Sequence, residues 1–305
     1  MTPVWLAWSS GKDAAWTLET LLDASDLQVV GLFTMLDEGT GRVPFQGTGR
    51  DLLELQAAAT GLPLHAVELP SDASNDQYDL AFTSLVAAAR GAGVSTFVYG
   101  DLFLTDLRDY REKLHVRHET TCRFPLWRAD TGALARTMVD GGLEAIITCV
   151  DPTKIDPRWL GAPFDHAFLD ALPADVDPCG ENGEFHTFVN GGPMLIESID
   201  VGVGEVFEER GFRCVEPVVR LEIDGTLDLH GIPPKQVGDL VDDYLDEARQ
   251  QGVLQVRIVH GKGIGALRET VHARLRRRGD VAHFALGGEG AGGWGATLVR
   301  LAPSD

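Results

Sequence analysis

The 305-residue chain has no run of 18 apolar residues, and its N-terminus lacks the basic start and apolar stretch of a signal peptide. Both absences lead us to expect a cytoplasmic protein with no membrane partner. Cysteine is scarce, and Cys122, Cys149, Cys179 and Cys214 show no CxxC spacing, which argues against a disulfide framework and against a zinc or thiol-relay site. Four reduced thiols are expected. Positive charge is also scarce: 26 Lys+Arg stand against 46 Asp+Glu, a formal charge of −20. So acidic a chain should repel nucleic acid unless its charge is unevenly placed. It is uneven, because residues 226–305 hold 10 Lys+Arg and 10 Asp+Glu, leaving all of the acidic excess in residues 1–225. Within that neutral tail Arg268, Arg274, Arg276, Arg277, Arg278 and Lys262 allow a local basic face, although Asp239, Asp242, Asp243, Asp246 and Glu247 lie on the preceding segment.

A hydrophobic content of 44% supports a sizeable core, and the length favours two domains. From Val4 onward, strand and helix patterns alternate: Val4–Trp8, a helix to Leu22, Gln28–Met35, Leu52–Thr60, Leu64–Leu69, Asp76–Ala92 and Thr96–Tyr99. Further units follow over Asp106–His118, Cys122–Leu126, Thr131–Asp140 and Ala145–Val150. The alternation predicts an α/β fold with an open parallel sheet and helices on both faces. Residues 151–195, rich in Asp, Pro and Gly, break the rhythm and read as ordered loop. It restarts near Glu216, giving a small β-α-β-α-β-β unit: a strand to Leu229, a helix Pro234–Gln250, a strand Gln255–Val259, a helix Ala266–Arg277, and strands Val281–Leu286 and Ala296–Leu301. Six glycines between Gly287 and Gly295 read as a mobile hairpin loop. The expected domains are 1–218 and 219–305, and no internal repeat is visible.

Two junctions carry the chemistry. At the first, Ser9-Ser10-Gly11-Lys12-Asp13 follows an apolar strand and opens a helix, so backbone N–H groups, a positive helix end and a lysine converge where phosphate could sit. A bland alternative is a tight turn with a capping serine. The segment does not fit GxxxxGK[ST]. It resembles the SGGKDS signature of PP-loop ATP pyrophosphatases, with Ser10 in place of the second glycine and Ala14 in place of the final serine. With Tyr99-Gly100-Asp101, Asp106 to Glu112, Phe124-Pro125-Leu126-Trp127 and Cys179 to Phe188 (CGENGEFHTF), residues 1–200 look like the diphthine ammonia ligase family. That resemblance implies a HUP-type nucleotide-binding fold, ATP and Mg²⁺, cleavage between the α and β phosphates, and adenylation of a carboxylate, on a protein or small molecule, before attack by ammonia or an amine.

By the same resemblance, Ser9, Ser10, Gly11, Lys12 and Asp13 form the pyrophosphate cradle, and Gly100 and Asp101 lie near the nucleotide. Lys12, Glu181, Glu184 and His186 are the catalytic candidates. Glu181, Glu184 and His186 can orient the acyl acceptor, hold Mg²⁺ or take a proton; equally, His186 can anchor a loop and the two glutamates can cap turns. Arg108 and Arg111, three apart on a helix, either contact phosphate or pair with acidic neighbours. A metal-ligand set is left open, and a tRNA sulfur-transfer reaction is disfavoured by the lack of paired cysteines.

At the second junction, Leu227-Asp228-Leu229-His230-Gly231 places Asp228 and His230 two apart on a strand, on one face. With His260-Gly261-Lys262-Gly263 and Leu267-Arg268, this resembles the Smr (small MutS-related) domain over residues 219–302. The family resemblance implies RNA or DNA as partner, with Gly261, Lys262, Gly263 and Arg268 on phosphate and Asp228 with His230 or His260 in proton transfer. The alternative is a structural Asp228–His230 hydrogen bond and glycines that merely permit a turn. His272 and His283 are given no catalytic role.

Three functions therefore stand: an adenylating amide-ligase-like enzyme carrying a nucleic-acid-binding domain, an endonuclease regulated by nucleotide, and a non-catalytic nucleotide-responsive RNA-binding adaptor.

Overall fold

In the computed structural model the described residues are 1–44, 46–220, 223–229, 237–261, 266–287 and 295–303. The chain separates into two compact units, Met1–Val219 and Arg220–Asp305.

The first unit begins with β1 (Thr2–Ala7), α1 (Lys12–Leu22), β2 (Leu27–Asp37), α2 (Arg50–Thr60), β3 (Leu64–Leu69), α3 (Asn75–Gly91), β4 (Thr96–Val98), α4 (Thr105–Arg117) and β5 (Thr121–Arg123). These strands form one parallel sheet of order β3-β2-β1-β4-β5. Strand alternation sends β1 side chains to opposite faces. Val4 and Leu6 enter a core with Ala15, Leu18 and Leu21 of α1 and Leu53 of α2. Trp5 enters a second core with Phe82 of α3, Leu114 of α4, Phe33 and Phe97. Helices therefore cover both faces, and the order in which strands are added reverses at the β1/β4 boundary. In such sheets that boundary opens a crevice at the carboxyl ends of the strands. Ser9 to Asp13 and Gly100-Asp101 sit there because they follow β1 and β4.

The remainder departs from the expected rhythm. After α5 (Thr131–Asp140), β6 (Glu144–Val150) leaves the parallel sheet and pairs antiparallel with β7 (Phe185–Gly191) and β9 (Phe212–Val219), with β8 (Val201–Glu209) outermost. The span 151–195, expected as loop, contains a 3₁₀ turn Pro157–Trp159, the short helix α6 (His166–Ala171) and β7. Pro and Gly mark the turns, but the alternation of Phe185, Thr187 and Val189 makes a strand once β6 is there to pair with it. Cys149 and Cys214 face each other in the β6/β9 register and are joined in a disulfide, correcting the expectation of four reduced thiols. Sequence spacing is silent on a pair 65 residues apart. Cys122 and Cys179 remain free.

The second unit comprises β10 (Thr226–Asp228), α7 (Val237–Gln250), β11 (Gln255–Val259), α8 (Ala266–Leu275), β12 (Val281–Leu286) and β13 (Ala296–Leu301), with sheet order β10-β11-β13-β12. Its core joins Val241, Tyr244 and Leu245 of α7 and Val271 and Leu275 of α8 to Leu227, Val256, Ile258 and Val299. Arg274 and Arg278 do not form an open basic face: they pair with Asp239, Asp242, Asp246 and Asp280. Among the described residues, no helix is long and apolar enough to cross a membrane.

Candidate functional site

A cavity of about 360 Å³ opens at the β1/β4 crevice, lined among others by Trp8, Ser9, Gly11, Lys12, Asp13, Gln46, Tyr99, Gly100, Asp101, Glu181, His186 and Thr187. Most of the expected first-site residues thus meet around one cavity, although they come from distant segments, Lys12 and its partner Thr187 being 175 residues apart.

The junction after β1 is shaped by its neighbour β7. Gly11 caps α1 without a side-chain bond, and the N–H of Lys12 instead donates to Thr187 Oγ1 at 3.0 Å. The N–H of Val189 donates to the Ser10 carbonyl at 2.9 Å. Ser9 and Gly11 keep N–H groups with no hydrogen-bond partner among the described residues, and both line the cavity. Ser10 has φ 73°, a left-handed conformation that favours glycine. Its side chain is fully buried and its hydroxyl lies 2.8 Å from Thr48 Oγ1, so Ser10 shapes the turn from behind and does not line the cavity.

Lys12, expected in the pyrophosphate cradle, lines the cavity but points its ammonium at protein partners. Only 3% exposed, its ammonium donates to Asp13 Oδ2 at 2.8 Å and to the Cys179 carbonyl, over the Phe164 and Phe185 rings. Burial is the largest single influence and opposes its charge, but the Asp13 carboxylate together with Cys179 and Glu181 holds its pKa above the ordinary lysine value, so the proton stays on Lys12. Asp13 Oδ1 and Gln46 Oε1 are buried acceptors with no partner among the described residues, and both residues line the cavity. Gly100 is required by packing, since a Cβ there would lie 2.9 Å from the Asp13 carbonyl oxygen and only glycine lets the end of β4 approach α1 this closely.

The turn Asp177–Glu184 separates its two glutamates. Asp177 Oδ1 accepts the N–H groups of Cys179 and Glu181 at 2.9 and 3.2 Å, and Gly180, with φ 68°, makes the bend. Glu181 reaches the cavity, where Oε1 accepts the Leu102 N–H at 2.8 Å. Burial raises its pKa to about 7 even though the Leu102 and Phe103 N–H groups pull it down. Glu184 is 1% exposed and absent from the cavity wall; its Oε1 accepts from Asn182 Nδ2 at 3.0 Å and Asp177 N at 3.3 Å, so it holds the turn. Of the two readings open for Glu184, catalytic group or turn cap, these contacts match the turn cap. His186 is half-buried on the wall, and burial together with Lys12 lowers its pKa to about 4, leaving a neutral imidazole at pH 7. Asp101 pairs with Arg111 at 2.7 Å, and the Arg111 guanidinium lies 4.0 Å over the Tyr99 ring. Arg108 pairs with Glu112 at 2.7 Å. Both arginines therefore have acidic neighbours, and Arg111 also lines the cavity.

Thr187 and Gln46 were not singled out from sequence. Thr187 lies inside the quoted CGENGEFHTF segment, and only the β7 pairing gives it a role; Gln46 follows β2 in a turn that carries no motif.

In the second unit, His260 is 6% exposed and follows β11. Its Nε2 lies 2.9 Å from Thr297 Oγ1 and its Nδ1 3.2 Å from the Gly261 carbonyl oxygen. Gly261 has φ 75°, and its N–H and that of His260 both donate to the Gly295 carbonyl. Asp228 is exposed on β10, and Arg268, on α8, lies 3.5 Å from Glu269. His230, Lys262 and Gly263, and most of the glycine-rich 287–295 stretch, lie outside the described residues.

The match to known families falls on these same elements. The diphthamide synthase C-terminal domain matches residues 130–221, from α5 through the antiparallel sheet, and the Smr domain matches residues 227–302, the second unit. The chain therefore carries, one after the other, a region that matches the diphthamide synthase C-terminal domain and a region that matches the Smr domain. The Smr region is 41% identical over 80 residues to endonuclease MutS2 of Clostridium botulinum (strain Eklund 17B / Type B), covering 26% of this chain and 10% of that protein. It is 44% identical over 80 residues to endonuclease MutS2 of Symbiobacterium thermophilum, with the same coverage. The chain thus spans about a tenth of the length of these curated relatives. Among solved structures, the Smr domain of Thermus thermophilus MutS2 aligns at 42% identity and a TM-score of 0.25, covering 26% of this chain and 98% of that one. YdaL, a stand-alone small MutS-related protein from Escherichia coli, aligns at 26% identity and a TM-score of 0.26, covering 27% and 68%.

Proposed function

We propose that the first unit is an ATP-dependent adenylating enzyme of the amide-ligase type. An oxygen of a substrate carboxylate attacks the α-phosphorus of ATP, the bond from that phosphorus to the oxygen leading to the β-phosphate breaks, and pyrophosphate leaves. Ammonia or an amine then attacks the activated acyl carbon, AMP departs with the former carboxylate oxygen, and the nitrogen gives up a proton.

One observation carries this reading: β7 docks on the phosphate-type turn through Thr187 and Val189, so that Glu181 and His186 share a cavity with Ser9, Gly11 and Asp13. The free N–H groups of Ser9 and Gly11 and the start of α1 suit the phosphate chain. Lys12, clamped by Asp13, contributes fixed positive charge behind the turn, not a mobile arm. Glu181, with a pKa of about 7, is suited to accept the amine proton near neutrality. Neutral His186 can accept a hydrogen bond from the incoming amine. No cluster of three or more His, Cys, Asp or Glu side chains fit to hold a metal occurs among the described residues. The unpartnered oxygens of Asp13 and Gln46 nevertheless suit Mg²⁺, which commonly takes one or two protein oxygens and completes its shell with phosphate and water. When bound, Mg²⁺ would neutralise phosphate charge.

For the second unit we read a nucleic-acid-binding module, for RNA or DNA, in preference to a nuclease, because both ring nitrogens of His260 are already engaged. The test is incubation of the full chain with α-labelled ATP and Mg²⁺, with and without ammonia and total RNA, beside Gly11→Val. A Cβ at Gly11 would come 3.2 Å from Gln46 Oε1 and 3.4 Å from the Thr187 carbonyl oxygen, so valine narrows the cradle without changing charge. Labelled AMP from wild type and not from Gly11→Val is expected. ADP, or no turnover in any condition, would overturn adenylation.

A further inference from the structure

Three buried or half-buried polar side chains meet in the second unit from three different elements: His260 just after β11, Thr297 of β13 and His272 of α8. His272 Nε2 and His260 Nε2 each lie 2.9 Å from the single hydroxyl of Thr297. The protons of this cluster follow from what each atom can do. The Gly261 carbonyl oxygen can only accept, so the His260 Nδ1 beside it at 3.2 Å carries a proton. In a neutral ring His260 Nε2 is then an acceptor, and Thr297 must donate to it. The Thr297 hydroxyl has one proton, so His272 Nε2 must donate to Thr297. The chain therefore runs in one direction: His272 Nε2–H to Thr297 Oγ1–H to His260 Nε2, with His260 Nδ1–H closing on Gly261.

The opposite direction would open the turn. A free imidazole prefers its proton on Nε2, and that tautomer would set the Nδ1 lone pair against the Gly261 carbonyl oxygen. Thr297 alone does not prevent the reversal, because its hydroxyl can rotate and accept from Nε2 as readily as donate. With its proton on Nε2, the position a free imidazole prefers, His272 disfavours that option: reversal would require His272 to move its own proton to Nδ1, or else leave the fully buried Thr297 hydroxyl facing two donors with no acceptor for its proton.

We propose that His272 is a positioning residue: acting through Thr297, it holds His260 as the Nδ1–H tautomer, closes the His260-Gly261 turn, and so sets the geometry with which the Smr domain engages a nucleic-acid strand. The role rests on the nucleic-acid reading of this unit. His260 is then a clamp on the turn, not a proton-transfer group, and Thr297 and His272 belong to the same device.

The test uses the full chain labelled with ¹⁵N-histidine, in which two-bond ¹H–¹⁵N correlations report the tautomer of each ring, together with fluorescence anisotropy against labelled single-stranded RNA and DNA. Wild type is expected to show His260 protonated at Nδ1 and His272 at Nε2. Thr297→Val and His272→Phe are expected to move His260 toward the Nε2–H form and to weaken strand binding by about tenfold, the size of one well-placed hydrogen bond. Thr297→Ser keeps the hydroxyl and should keep both properties, which mere loss of packing would not reproduce. Finding wild-type His260 as the Nε2–H tautomer overturns the proposal. So does a changed tautomer in either variant with unchanged affinity, or no change of tautomer in His272→Phe. If wild type binds neither strand, the nucleic-acid reading falls and the role of His272 with it, while the histidine spectra still show whether the directed chain exists.

Discussion

Thr187 Oγ1 accepts the backbone N–H of Lys12 at 3.0 Å across 175 residues of chain. A strand of the antiparallel sheet thereby satisfies one of the open N–H groups at the start of the first helix of the parallel sheet, where Gly11 has no side chain to cap it. The nucleotide-type turn and the CGENGEFHTF segment become a single site through this bond and its neighbour from Val189 to Ser10.

Removing the Thr187 bond should separate position from packing. Thr187→Val is expected to cost about 1 kcal/mol of stability, the usual worth of a helix cap, and to lower kcat/KM for AMP formation about tenfold through displacement of the turn. Thr187→Ser should retain both. Urea unfolding and product assays on the three proteins check this.

The turnover profile should carry the signature of Glu181. If its carboxylate takes the amine proton, activity rises with pH through about 7 and Glu181→Gln loses that rising limb. Stability runs the other way. A carboxylate whose pKa is raised on folding contributes its stability below the unfolded value, near the ordinary carboxylate range, and loses it as pH climbs through about 7. Glu181→Gln should therefore gain on wild type between about pH 5 and pH 8, by on the order of 1 kcal/mol after allowing for partial solvation. Thermal denaturation at the two pH values reads the difference.

Ser10 offers two opposed contributions at one position. Its φ of 73° costs a non-glycine residue roughly 1–2 kcal/mol, whereas its hydroxyl bond to Thr48 contributes roughly 1 kcal/mol. Ser10→Gly should thus be close to neutral. Ser10→Ala keeps the strain and loses the bond, and should be about 1 kcal/mol less stable than wild type. A midpoint shift in urea with unchanged slope would establish the order.

Breaking the Lys12–Asp13 pair should be costly, and replacing both partners much less so. Lys12→Met leaves the Asp13 carboxylate without its cation and is expected to cost roughly 3–5 kcal/mol, with Lys12→Met/Asp13→Asn recovering much of the loss. Equal losses in the single and double variants would refute the coupling.

Oxidised protein should show Cys149 and Cys214 linked in a peptide map, with buried Cys179 alkylated only after unfolding and half-buried Cys122 sooner. Cys214→Ala should lose about 2–4 kcal/mol of stability under oxidising conditions, the usual range for removing such a cross-link, and little under reducing ones.

Local elements, and the places where chemistry could sit, were legible in the chain without its fold. Apolar runs before Ser9 and His260 made strands, Gly261 allowed the second turn, and the alternation of strand and helix as far as β5 left few alternatives to a parallel sheet, because each pattern is decided by neighbours along the chain. The β-α-β-α-β-β order of the second unit could be read for the same reason. Relations between distant segments came only with folding: β6 leaving the parallel sheet to pair with β7 and β9, and Cys149 meeting Cys214 through that pairing. The same holds for the separation of Glu181, on the cavity wall, from Glu184, inside its own turn, for the burial that lifts Glu181 and withdraws the Lys12 ammonium from solvent, and for the meeting of His272 with His260 at Thr297. Burial and hydrogen-bond direction depend on which surfaces meet, and a linear pattern specifies which residues could take part without saying across which contact they will.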